Sequence, residues 1–227
     1  MYTTQKQYAR IAGLLYLIVI AAGLFAEVFV REALTVSNDA VATAHKIQAA
    51  EMRYRLGFVA DIFNLICGLP VIVFFYRLYK PTHRSLILLA IFFVIISNAV
   101  IAVNLLNQVS TLMWLSGDHY LATFNPYQLA TLSLHGINVQ EEGYAIALVF
   151  FGCYCIILGY LIFKSTYMPR VLGILYALAG LCYMISSFTG FLMPGFRNPL
   201  FPFILIPSFI GELSVCLWLL IMGVKKE

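Results

Sequence analysis

The 227-residue chain is 62% hydrophobic and only 11% charged, with a mean hydropathy of +0.91 and a formal net charge of +4. A soluble domain carries about 25% charged residues because its surface faces water; too few charges remain here to coat a globule, and lipid is the expected solvent. The positive balance does not point to nucleic acid, since the basic residues sit in short clusters between apolar runs and form no stripe with interleaved aromatics.

Crossing a hydrocarbon core of about 30 Å takes roughly 20 apolar residues, and six stretches qualify. The first is Ala9–Val30, preceded by Lys6 and Arg10 as a secretory signal would be. Its apolar run from Ile11 to Ala26 is long for a signal core, and Leu24 breaks the small-residue pattern before Glu27. It is therefore expected to remain as a span. In the next segment Asn38 or Asp39 can cap a helix through Ala40–Arg55, with no Gly or Pro before Gly57 to stop it running into the second span, Leu56–Tyr76. A short link, Arg77–Arg84, leads to the third span, Ser85–Gln108; no charge intervenes before Asp118, so this helix can continue toward Leu115.

The segment Ser116–Glu142 holds no Lys or Arg; Asn125-Pro126 starts a helix there that Gly136 is expected to end. Both link helices are expected to pack over the outer mouth of the bundle. The remaining spans are Gly143–Phe163, Val171–Met193 and Phe201–Gly223, the first two joined by Lys164–Arg170. The expected fold is one all-α domain over residues 1–227, an integral membrane bundle of six transmembrane helices with short external helices. With the N-terminus inside, cytoplasmic segments hold nine basic residues (Lys6, Arg10, Arg77, Lys80, Arg84, Lys164, Arg170, Lys225, Lys226) against five outside (Arg31, Lys46, Arg53, Arg55, Arg197). This bias places both termini in the cytoplasm.

Small residues mark helix contacts where no hydrophobic force acts between helices. Gly57, Asp61, Asn64 and Gly68 form one narrow face of the second span, and Gly173, Ala177 and Gly180 one face of the fifth. The five cysteines all lie in apolar runs and are odd in number, which argues against a disulfide framework. His119 and His135, with Asp118, Glu141 and Glu142, lack the spacing of metal ligands, and His45 joins them only if the two external links meet. No metal or cofactor is expected, and no nucleophilic serine motif, P-loop or dinucleotide fingerprint occurs.

Intramembrane polar groups cost free energy unless paired, so they mark where chemistry can lie. Glu27, Arg31, Asp61, Asn64, Asn104, Asn107 and Gln108 all fall in the outer half of their spans, and Arg55 approaches from the first external helix. Glu27 and Arg31 are four apart, as are Glu51 and Arg55, so each pair can share a helix face. Asn104, Asn107 and Gln108 cluster on one side of the third span, with Ser97 two turns below. One reading is an outward-open polar pocket, with Arg31 or Arg55 holding an anionic group and Asp61 or Glu27 opposite. The other is a set of ion pairs and amide bonds knitting helix ends together. Glu212 stands apart as the twelfth of 23 residues in the last span, where an ionisable group is unfavourable by roughly 2.5–3.5 kcal/mol on insertion scales. Ser208 lies one turn before it, and Pro207 is expected to free a carbonyl nearby. Glu212 reads either as a proton-relay or ligand-binding group, or as a protonated acid bonding across to a neighbouring helix.

Several stretches carry a resemblance: Ala9-Arg10-Ile11-Ala12-Gly13-Leu14-Leu15-Tyr16, Gly23-Leu24-Phe25-Ala26-Glu27, Val30-Arg31 and Val103-Asn104-Leu105-Leu106-Asn107. To these add Leu115-Ser116-Gly117, Leu158-Gly159-Tyr160-Leu161-Ile162, Pro169-Arg170-Val171-Leu172-Gly173 and Glu212-Leu213. The chain resembles, over nearly its whole length, a bacterial membrane family catalogued as domain of unknown function 4386. Where that family often carries histidine before the second cysteine of the fourth span, this chain has Tyr154. The resemblance implies six spans and a bacterial inner-membrane home, and no activity.

Three classes of function follow. The first is a protein that binds or moves a small or lipidic ligand through the polar pocket, using Glu27, Arg31, Arg55, Asp61, Asn64, Asn104, Asn107, Gln108 and Glu212. The second is a structural or assembly subunit whose polar groups only join helices. The third is an intramembrane enzyme acting on a lipid, with Asp61, Glu27 or Glu212 as acid or base. Membrane lipids are the expected partners in all three.

Overall fold

The computed structural model describes residues 2–193, 195 and 203–224. Arg197, Lys225, Lys226 and the expected start of the last span at Phe201 lie outside them. Helix α1 (Tyr2–Leu24) continues as a π-helical segment, Phe25–Glu32. Then come α2 (Ala40–Ala49), α3 (Glu51–Tyr79), α4 (Arg84–Trp114), a 3₁₀ turn (His119–Thr123), α5 (Pro126–Lys164), α6 (Arg170–Leu192) and α7 (Leu205–Ile221). The described residues contain no strand. Five stretches are long and apolar enough to cross a membrane: Gln5–Glu32, α3, α4, α5 and α6; α7 is apolar but shorter.

The long helices form a closed ring. Each packs on the next, α1 on α3, then α4, α5, α6 and α7, and α7 returns to α1. One end of the ring is filled. Tyr16, Phe75, Tyr79, Ile87, Leu158, Ile162, Tyr176 and Leu219 belong to a single buried cluster there, beside the two short links. The first and last helices meet at the same end, where Arg10 donates to the carbonyl of Ile221 at 3.2 Å. A Cβ on Gly13 would stand 2.5 Å from the Leu220 nitrogen, so α1 and α7 lie nearly backbone to backbone there.

The expected small-residue seam of the fifth span is present. A Cβ on Gly173 would fall 2.5 Å from the carbonyl oxygen of Gly159, and one on Gly180 2.5 Å from that of Gly152. A second seam joins α4 to α5 by polar side chains seven residues apart. Ser97 Oγ donates to the Ala147 carbonyl at 2.9 Å, Asn104 Nδ2 to Gln140 at 2.7 Å, and Thr111 Oγ1 to Ser133 at 3.3 Å. The spacing of seven on both helices, running in opposite directions, holds one continuous antiparallel contact line.

Several expectations are corrected. Gly136 does not end a helix: α5 runs unbroken for 39 residues, about 58 Å. A Cβ on Gly136 would stand 2.8 Å from Thr111 Oγ1, so the glycine serves the approach of α5 to α4. Asn125 starts α5 as expected, exchanging capping-box bonds with Gln128. Asp39 likewise caps α2 through the Ala42 N–H at 2.8 Å. Yet α2 does not run into α3, because Ala50 leaves the helical region at φ −128°, ψ 38°. The bend seats Ile47 against Val30, Leu34, Tyr54 and Ile137, a second, smaller core that holds α2 on the ring. The third helix does extend past Gln108, to Trp114.

Candidate functional site

Above the filled end the six ring helices enclose a cavity of about 680 Å³. Its wall is mostly apolar, with Val19, Ile20, Val71, Ile72, Leu148 and Phe151 among its residues. At its inner end is Glu212, on the second turn of α7 and partly exposed to the cavity. Glu27, Glu32 and Glu141 stand on the wall toward the other end.

Glu212 is held by two other helices. Tyr16 of α1 donates to Oε2 at 2.9 Å, and Tyr183 of α6 donates to Oε1. Tyr16 is in turn 2.9 Å from the hydroxyl of Tyr176, which is buried. With Tyr16 donating to the acid, its oxygen accepts from Tyr176, so the chain of hydroxyls runs toward the carboxyl. Both carboxyl oxygens therefore accept from a phenol. Aromatic rings close around this point: Tyr154 meets Tyr176 edge-on at 6.3 Å, and Phe151 lies 5.6 Å from both Tyr154 and Tyr183. Composition and spacing in the sequence single out Glu212, but its tyrosine partners, spread over two distant helices, carry no signal there beyond being polar-tipped residues in apolar runs.

One detail of the last helix differs from expectation. Pro207 falls in the first turn of α7, where an N–H would lack an intrahelical partner anyway, so it frees no carbonyl beside Glu212. Ser208 Oγ donates to the Ala179 carbonyl at 3.1 Å and serves the α6–α7 contact.

The outer polar residues divide into separate groups. Arg31 Nε donates to Glu27 Oε2 at 2.7 Å and its Nη1 to Asp61 Oδ2 at 2.6 Å. Gln108 Nε2 donates to the same Asp61 oxygen at 2.8 Å. This network ties the π-helical segment to α3 and α4, with the Arg31 and Asp61 side chains only 11% and 12% exposed. Asn104 and Asn107 form another group, Asn107 Nδ2 donating to Asn104 Oδ1 at 2.8 Å beside the bond to Gln140. Arg55 pairs with Glu51 at 2.6 Å, with both side chains more than half exposed. Asn64 Nδ2 donates to the Val19 carbonyl at 2.8 Å and joins α3 to α1.

Of the nine residues singled out in the sequence, Glu27, Asn64 and Glu212 line the cavity. Arg31, Asp61 and Gln108 stand behind Glu27, while Arg55, Asn104 and Asn107 face other contacts. Gly68 was expected to be part of a packing face. Instead a Cβ there would meet nothing within 4 Å, and the residue opens onto the cavity. Ser187 is a further wall residue missed in the sequence; it is 3% exposed and its hydroxyl has no hydrogen-bond partner.

The long apolar helices around a polar-ended cavity suggest a multi-pass membrane protein. The chain belongs to the family described as Domain of unknown function (DUF4386), whose model matches residues 11–223. It is also 31% identical over 153 residues to an uncharacterized protein of Archaeoglobus fulgidus, covering 64% of this chain and 88% of the relative. That relative is archaeal, and the bacterial home expected above rests on the resemblance alone. No solved structure matches the chain.

Proposed function

We propose that this protein binds, or carries across part of a membrane, a small or lipidic ligand held in the cavity between Glu27 and Glu212. The observation that carries this reading is the cavity itself. A ring of six helices packed tightly at one end leaves about 680 Å³ open toward the other, within the usual range of ligand sites, roughly 300–1,000 Å³. Its wall combines broad apolar surface with a few polar groups, the composition such sites share. Glu27, Asn64 and Glu212 are the ligand-facing members of the polar set, and Arg31, Asp61 and Gln108 hold Glu27 and the π-helical segment in place.

In this reading all six ring helices span the membrane. Helix α7 is about 25 Å long, short for a span, but it packs on α1 and α6 as the other ring helices pack on their neighbours. The distribution of basic residues supports cytoplasmic termini, so the filled end faces inward and the cavity outward, in a bacterial inner membrane.

A structural-subunit reading draws support from the Glu27–Arg31–Asp61–Gln108 network, whose polar atoms satisfy one another. Gly68→Phe separates the two, because a Cβ at Gly68 meets nothing within 4 Å and the residue lines the cavity, so the added ring takes up cavity volume. Native mass spectrometry of the wild type, released from lipid nanodiscs, should show a retained non-protein mass that is missing from the Gly68→Phe variant at unchanged thermal stability. A wild type that retains nothing, or a mass kept by the variant, refutes the pocket.

A further inference from the structure

The cavity wall is one-sided in charge. It carries four acids, Glu27, Glu32, Glu141 and Glu212, and among the described residues no Lys, Arg or His. The two arginines that could receive an anion are already engaged: Arg31 between Glu27 and Asp61, and Arg55 with Glu51. At its inner end the hydroxyls of Tyr16 and Tyr183 bond to Glu212, the hydroxyl of Tyr176 bonds to that of Tyr16, and all three tyrosines belong to the cavity wall. Aromatic side chains on a desolvated wall add attraction for a cation where it reaches a ring face. A buried hydroxyl without a partner, that of Ser187, lines the same cavity one turn from Tyr183.

The sides of the cavity add a second requirement. Leu24 and Val28 of the first helix and Ile206 and Phe209 of α7 belong to its wall and are each at least 40% exposed. Helices α1 and α7 touch closely at Gly13 and Leu220, but at the level of these four residues they leave apolar side chains uncovered. A ligand reaching the cavity between them passes apolar surface.

Resting on the pocket reading, we propose that the occupant is a lipophilic cation: an ammonium-like charge set against Glu212 and its ring of tyrosines, on an apolar body that fills the rest of the cavity. The same chemistry comes from a free cation or from a lipid with a cationic headgroup. Among the described residues of this wall an anion finds no Lys, Arg or His to receive it, and it meets the carboxyl of Glu212 at the inner end.

Tetraphenylphosphonium and tetraphenylborate test this, because they match in shape and size and differ in the sign of their charge. Equilibrium binding of each is measured on the protein in phosphatidylglycerol nanodiscs, with partition into empty nanodiscs subtracted. The expected result is saturable binding of the phosphonium, about tenfold or more tighter than the borate. Glu212→Gln should weaken the phosphonium by a similar factor, and Gly68→Phe should abolish its binding. The contrast between the two ions on the wild type holds the test if the Gln variant does not fold. Displacement of the phosphonium by a soluble short-chain phosphatidylcholine, but not by the matching phosphatidylglycerol, would identify the lipid ammonium as the source, and no displacement by either, a free cation. Borate binding as tightly as phosphonium, and lost in Gly68→Phe, overturns the cation while the pocket stands. So does failure of both ions to bind when native mass spectrometry still shows a mass that Gly68→Phe removes. If no such mass is retained, the pocket falls with it.

Discussion

Removing Asp61 probes the charge network behind the cavity. Asp61 Oδ2 accepts from both Arg31, at 2.6 Å, and Gln108, at 2.8 Å, in surroundings where the two charged side chains are only 11–12% exposed. Breaking a buried ion pair by deleting one partner costs about 3–5 kcal/mol, mainly because the other charge is stranded. Asp61→Leu also leaves the Gln108 amide without its acceptor, a loss of about 1 kcal/mol or more. Against this, Arg31 keeps Glu27 at 2.7 Å, which holds the expected total near 3–5 kcal/mol rather than above it. Adding Arg31→Met removes the stranded charge and leaves Glu27, 39% exposed, able to hydrate. The double variant should therefore be more stable than the sum of the single losses by about 2 kcal/mol or more. Unfolding in mixed micelles titrated with an anionic detergent, followed by circular dichroism, measures all four corners of the cycle. Losses that add to within about 0.5 kcal/mol would show that Arg31 and Asp61 do not act on each other. A negligible loss for Arg31→Met alone would show that the arginine is not a structural partner.

Other changes have outcomes that follow from the same geometry. Glu212→Gln keeps an acceptor for Tyr16 and a bridging side chain, so its detergent-unfolding midpoint should match the wild type, whereas Glu212→Leu leaves the Tyr183 hydroxyl without its acceptor while Tyr16 keeps Tyr176, and should cost about 1–3 kcal/mol. Equal midpoints for the Leu variant and the wild type would show that the acid does not hold α1, α6 and α7 together. Gly180→Leu drives a side chain into the Gly152 carbonyl, 2.5 Å from the ideal Cβ, and should destabilise the α5–α6 seam by about 1–3 kcal/mol or prevent folding; wild-type stability would contradict the close approach. For topology, single cysteines at Thr82 and Thr166 in a cysteine-free background should resist impermeant thiol reagents in intact cells, and one at Thr123 should react. Labelling of Thr82 from outside would reverse the proposed orientation.

The helical architecture is legible in the sequence because solvent and backbone leave little choice: apolar runs of about 20 residues in lipid must satisfy their own peptide groups, and a helix does so within the segment. Local chemistry was legible for the same reason of proximity. The Asp39 and Asn125 caps and the Glu27–Arg31 and Glu51–Arg55 pairs lie within four residues of each other, and all are present. Gly136 and Gly68 were misread because a glycine in an apolar helix has the same local signature whether it ends the helix, meets a neighbour or faces a cavity. Only the position of α4 beside Gly136, and of empty space beside Gly68, distinguishes these cases. Which polar groups share a site depended wholly on how the ring closes. Arg31 looks like a ligand handle until Asp61, thirty residues away, is seen to hold it. Glu212 looks isolated until α1 and α6 bring Tyr16 and Tyr183 to its two oxygens, from 196 and 29 residues away in the chain. Contacts over such separations are set by helix packing, which side-chain shape determines across the whole bundle and which no local pattern in the chain records.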